Sequence, residues 1–202
     1  MGQPQSDNIS IHDYLDIERE DKVRYEFHEG HLIRMAGGTL DHSTICNNVG
    51  AELRSLARAN GSCVAFNSEM KIEVIKNEKY VYSDGGIACP NLNESDTITG
   101  AINNPRVIIE VTSSDSGDYD RGDKLQFYFS LPSLREYLIL DQHRPKAALY
   151  RRRGEGYLFS LHTYDGVDQK IELKSMDAYL EMSELYADVT FPTDKPTNKN
   201  TV

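Results

Sequence analysis

At 202 residues and 39% hydrophobic, the chain can bury one substantial core but is too short to suggest two, so one domain over residues 1–190 is expected. A formal net charge of -10 argues against coating nucleic acid by bulk charge, while a local basic groove on an acidic body stays compatible with it. Cys46, Cys63 and Cys89 are widely spaced and form no CxxC pair, which points away from a disulfide framework or zinc knuckle and toward a reducing cytoplasm.

The opening MGQPQSDNIS has no basic region leading into an apolar core. No apolar run approaches the roughly 20 residues of a membrane span, so neither secretion nor a membrane partner is expected. Ile9 to Glu20 reads as a short amphipathic helix capped by Asn8 or Ser10. VRYEFHEGHLIRMAG then alternates around Glu29-Gly30 as a hairpin does. Ile45, Val49, Leu53 and Leu56 recur at helical spacing, predicting a helix over Asp41 to Ala59 with Thr39 or Asp41 as cap and a stop at Asn60-Gly61.

CVAFNSEMKIEVI and KYVYSDGGIAC supply two or three strands with a turn at Asn77-Glu78, followed by a polar loop from Asn91 to Asn104. VIIEVTSSDSGDYDRGDK, beginning at Val107, opens as a buried strand. Tyr119 to Ser130 reads as a helix ending before Leu131-Pro132, and EYLILD as a strand of a sheet interior. KAALYRRR, YLFSLHTY and KIELKS continue as strands between GEG and DGVDQ turns. The Pro-containing polar tail, 191–202, reads as disordered. This order predicts an α/β or mixed α+β fold with a central mixed β-sheet flanked by helices.

The anomaly is Glu110, a carboxylate inside the apolar run VIIEV, where an ionised group needs a partner or a metal. Asp84 ends the preceding alternating strand, and Gly85-Gly86 lets the backbone bend or a ligand approach. Two carboxylates on neighbouring strands are the hard oxygen ligands that Mg2+ takes, with water and a phosphate oxygen filling its octahedron. Lys124 borders the apolar face of the next helix, made by Leu125, Tyr128 and Phe129. From there its ammonium reaches toward the same place. The residues alone leave plainer alternatives open. Glu110 would pair with Arg106 or Arg121, Asp84 would be a turn residue, Lys124 would extend to solvent, and Glu26 would be a solvated hairpin residue. His28, His31 and His42 make no convincing zinc site, and Arg144, Lys146 and Arg151 to Arg153 read as a solvated strand end.

The blocks YEFHEGHLIRMAGG, LDHSTICNNVGAEL, YVYSDGGIAC, NNPRVIIEVTSSDS, YDRGDKLQFYFSLPSLREYLILDQ and PKAALYRR together resemble the restriction-endonuclease-like family, formerly a domain of unknown function, of the PD-(D/E)xK nuclease superfamily. The resemblance implies a restriction-endonuclease-like core and a metal-dependent endodeoxyribonuclease using Mg2+, with Mn2+ as its substitute. It matches Asp84 and Glu110 to the metal-binding carboxylates, Lys124 to a catalytic lysine moved to the next helix, and Glu26 to an additional acidic residue. Ser83 stands where the family commonly has proline, and Thr112 where the wider superfamily has lysine. DNA is the implied partner, and a homodimer would set two sites on two strands by symmetry. A nuclease-fold binding or regulatory module without turnover is the alternative.

Overall fold

The computed structural model describes residues 9–35, 37–76, 78–112, 122–156 and 158–191. Ser10 opens α1 (Ile11–Asp21): its hydroxyl accepts from the Asp13 amide while the Asp13 carboxylate accepts from the Ser10 amide, a reciprocal cap. Tyr14 is the buried side chain of this helix and stacks on Phe27 with ring centroids 5.2 Å apart. β1 (Tyr25–His28) and β2 (His31–Arg34) form the expected hairpin, with Glu29 and Gly30 at φ of 50° and 90°, the positive values that a two-residue turn needs.

Thr39 caps α2 (Leu40–Asn60) by accepting from the His42 amide, and Gly61 ends it in the left-handed conformation. The buried stripe is Ile45, Val49, Leu53 and Ala57; Leu56, expected in it, is only half-buried because a spacing of four carries the stripe to Ala57.

The next segment holds β3 (Val64–Asn67), β4 (Lys71–Ile75), β5 (Lys79–Tyr82) and β6 (Gly85–Ala88), four strands where two or three were expected. The turn between β4 and β5 includes Asn77, which lies outside the described residues. Within the polar loop a short β7 (Ala101–Ile102) pairs parallel to β4. Then come β8 (Pro105–Thr112), α3 (Asp123–Ser130), β9 (Glu136–Asp141), β10 (Lys146–Arg152) and β11 (Phe159–Asp165). The start of the helix expected from Tyr119, and most of the tail, at 192–202, lie outside the described residues. KIELKS does not extend the main sheet: β12 (Lys170–Leu173) pairs with β13 (Ala178–Glu181), and a short α4 (Met182–Leu185) follows.

A six-stranded sheet runs β11-β10-β9-β8-β6-β3, mixed because β8 and β9 are parallel, and a five-stranded sheet runs β2-β1-β5-β4-β7. Val107, Ile109, Val111, Leu138 and Leu140 pack on α2 from one face of the six-stranded sheet. Ile108, Tyr137 and Ile139 pack from the other face on Tyr128 of α3 and on Ile72 and Val81 of the five-stranded sheet. Coverage on both faces explains the near-continuous apolar runs of β8 and β9. The fold is therefore the expected mixed α/β one, with a central mixed sheet flanked by helices.

Two expectations are corrected. Cys63 and Cys89 form a disulfide, because antiparallel β3 and β6 pair Val64 with Ala88 and so set the two flanking cysteines opposite each other, with Cα atoms 4.5 Å apart. Gly86 serves packing rather than ligand access: a Cβ there would lie 2.3 Å from a Phe66 ring atom and 2.5 Å from the Val107 carbonyl oxygen. Gly86→Ala should therefore destabilise the fold by about 1–3 kcal/mol, the range for overpacking. Urea unfolding checks this, and a wild-type midpoint would contradict it.

Candidate active site

The chain leaves one sheet at the end of β5 and enters the other at the start of β6, so Ser83 and Asp84 cross the seam between them. The buried Ser83 donates its hydroxyl to the Gly85 carbonyl at 3.3 Å. The register Gly85↔Ile109 brings Asp84 level with Glu110. Because β6 stops there, the Val111 amide lacks a strand partner on that side and donates to Asp84 Oδ2 at 2.7 Å. His42, in the first turn of α2, places Nε2 3.4 Å from the same oxygen. Burial raises the Asp84 pKa, but the His42 contact and charge, the Val111 amide and the Lys124 charge outweigh it and hold the carboxyl below the usual range. Asp84 is therefore ionised at neutral pH.

Glu110 lies on the face of β8 that meets α3 and is only 4% exposed. Of the two expected partners, Arg106 instead donates to the Ser175 carbonyl, and Arg121 lies outside the described residues. Lys124 Nζ is 2.8 Å from Glu110 Oε1, and the Tyr128 hydroxyl, one turn further along α3, donates to the same oxygen at 2.8 Å. Burial first and the Glu110 charge second push the Tyr128 pKa far up, so the phenol keeps its proton and remains a donor.

Lys124 also lies 3.3 Å from Glu26 Oε1, and at 5% exposure it does not extend to solvent. Glu26 is not a solvated hairpin residue either. β1 pairs with β5 inside the five-stranded sheet, so Glu26 is 3% exposed and accepts from the Tyr82 amide at 3.2 Å. His28 Nε2 stands 3.5 Å from its other oxygen. Thr112, on the face of β8 that carries Glu110, donates its hydroxyl to the Leu140 carbonyl at 3.2 Å, so the ammonium of this site comes from α3 instead.

The structure thus brings Glu26, Glu110 and Lys124 into one buried cluster, with Asp84 within the field of Lys124. Sequence reasoning gave no role to His28, His42 or Cys46, and it placed Tyr128 only in the apolar stripe of its helix. The His42 and Cys46 spacing of four was the available signal, since it puts both on one helix face. Three carboxylates thus gather around one ammonium. Carboxylate oxygens are the donors that a hard divalent cation selects, so the residues fit one.

The basic cluster is corrected in part: Arg144 and Arg153 are exposed as expected, while Arg151 and Arg152 are not. Arg152 is nearly buried and donates to the carbonyls of Phe129, Leu131, Leu134 and Gly156, while Arg151 Nε bonds Glu136 at 2.9 Å. These arginines tie strand ends to neighbouring loops rather than standing in solvent.

A family model described as "Putative restriction endonuclease", Uma2, matches residues 11–181. Two relatives from Synechocystis sp., both described as uncharacterized, align well. One, slr1290, is 27% identical and covers 91% of this chain and 94% of its own length. The other, sll1609, is 29% identical and covers 73% of this chain and 82% of its own. A crystal structure of a protein described as a putative nuclease belonging to DUF820, from Anabaena variabilis, superposes with a TM-score of 0.69. It shares 16% identity and covers 88% of this chain and 97% of its own.

Proposed function

Because the chain belongs to the Uma2 family of restriction-endonuclease-like proteins, we propose that it is a divalent-metal-dependent endonuclease that hydrolyses DNA phosphodiester bonds at the Glu26, Asp84, Glu110 and Lys124 cluster. The observation that carries this is the buried Lys124 held between two carboxylates. A lysine serving only the surface would not be enclosed at such a desolvation cost.

Asp84 and Glu110 are the proposed ligands of Mg2+ or Mn2+, with Glu26 as an additional carboxylate. Both nitrogen donors to Asp84 fall on Oδ2, so Oδ1 is the oxygen offered to the cation. A divalent cation bound there supplies Lewis-acid polarisation of the phosphoryl oxygen and of the attacking water. In hydrolysis the water oxygen forms a bond to phosphorus, one ester P–O bond breaks, and the leaving oxygen takes a proton. Lys124 places positive charge where negative charge grows on the phosphoryl oxygens, and Glu26 and Glu110 fix the position of that ammonium. The Val111 amide and His42 orient Asp84, and Tyr128 orients Glu110. A homodimer related by a two-fold axis would aim two such sites at opposite strands.

A supercoiled-plasmid nicking assay with Mg2+ or Mn2+ tests this. Wild type should nick, and Asp84→Ala should lose at least about 10²-fold in rate. Nicking that survives in Asp84→Ala would overturn the assignment. Metal binding with no nicking at all would favour a nuclease-fold binding module instead.

A further inference from the structure

The first two turns of α2 bring a second kind of donor to Asp84. His42 and Cys46 lie one helical turn apart. Cys46 Sγ is 3.5 Å from His42 Nδ1 and 3.9 Å from Nε2, and Nε2 is 3.4 Å from Asp84 Oδ2. Ligand atoms of all three residues fall within 4.8 Å of one another. Tetrahedral zinc, with bonds of about 2.0–2.3 Å, sets neighbouring donors about 3.4–3.6 Å apart. With Nε2 as the imidazole donor, its separations from Asp84 Oδ2 and Cys46 Sγ, 3.4 and 3.9 Å, are close to that before any ion enters. Gly38 helps to hold the imidazole, because a Cβ at that position would lie 2.6 Å from His42 Nδ1 and push the ring away.

We propose that His42, Cys46 and Asp84 form a binding site for a thiophilic divalent cation of the zinc class, sharing Asp84 with the carboxylate cluster. Imidazole and thiolate select such ions over Mg2+, which prefers oxygen throughout. The Cys46 Sγ–H bond breaks as the sulfur–metal bond forms, the proton passes to buffer, and no electron is transferred. Three protein ligands leave a fourth tetrahedral position for water. Resting on the nuclease reading, one consequence follows: zinc in this site occupies Asp84 and so inhibits Mg2+-dependent cleavage.

Cobalt titration of the full chain reads the site without reference to activity. Wild type should bind one Co2+ with a near-ultraviolet thiolate-to-cobalt charge-transfer band and the intense visible bands of tetrahedral cobalt, and Zn2+ should abolish both. Cys46→Ser should lose the charge-transfer band and weaken Zn2+ binding by more than about 100-fold, beyond the 10–100-fold typical of losing an outer-shell partner. His42→Gln, checked for folding by circular dichroism, should weaken it similarly. Absence of the band in wild type, or its persistence in Cys46→Ser, overturns the proposal even if plasmid is nicked. The band with no nicking in Mg2+ leaves the zinc site standing and counts against the nuclease reading alone. Where wild type nicks, inhibition by Zn2+ should be lost in Cys46→Ser, and equal inhibition of both would overturn the sharing of Asp84.

Discussion

Lys124→Ala should lower the single-turnover rate of plasmid cleavage at saturating Mg2+ by about 10²–10³, the cost of losing one donor aimed at developing charge. The same substitution leaves Glu26 and Glu110 facing each other without their shared ammonium, so the fold should lose about 3–5 kcal/mol, as when one partner of a buried pair is removed. The two effects separate experimentally. A lysine serving structure alone would lower the melting temperature yet leave the rate of the folded fraction near wild type. Lys124→Arg should recover most of the stability and only part of the rate, because a planar guanidinium does not place its charge at the same point. Removing a positive charge from beside the carboxylates should hold or tighten Mg2+ binding, which calorimetric titration reads. Weakened binding would recast Lys124 as a residue that organises the ligands.

Arg151→Met should be the largest purely structural effect. Glu136 is fully buried, and its carboxylate accepts from Arg151 Nε, from the amides of Lys174 and Ser175 and from the Ser175 hydroxyl. Without Arg151 a buried carboxylate keeps its hydrogen bonds and loses its counter-charge, at about 3–5 kcal/mol. For a chain of this length that corresponds to roughly 6–20 °C in melting temperature, taking about 2–4 °C per kcal/mol. Pairing it with Glu136→Gln should restore part of the loss, since no net charge is then buried. A melting temperature within a degree or two of wild type would mean that the hydrogen bonds alone satisfy Glu136. Cleavage by the folded protein should be unchanged, in contrast with Lys124.

The parts of this structure that were legible in the sequence are those with a local period. Ile45, Val49 and Leu53 announce α2 because four residues make about one turn, and VIIEV and EYLILD announce interior strands because both faces are covered. Glu110 stood out because a charge in such a run requires compensation. The compensating contacts were less legible, since they join elements far apart in sequence. Burial of Glu26 depends on β5 lying beside β1, and the Cys63–Cys89 link depends on the register of β3 against β6. Neither pairing leaves a periodic trace in its own strand. Arg151 and Arg152 misled for a related reason: a run of arginines looks solvated until the carbonyls and the carboxylate that it meets are known.

The crossing of the chain from one sheet to the other bears on when the protein becomes competent during its own synthesis. Glu26 belongs to the five-stranded sheet, Glu110 to the six-stranded sheet, and Lys124, 98 positions after Glu26 (124 − 26), to the helix that touches both. Contacts of such long range form only after the intervening loop has closed. A nascent chain that has emerged as far as β8 holds the carboxylates but not the lysine, and β9, which completes the interior of the six-stranded sheet, comes later still. Assembly of the cluster is thereby tied to completion of the fold, so a truncated or half-folded chain, whatever surface it exposes, does not present the finished form of the proposed centre.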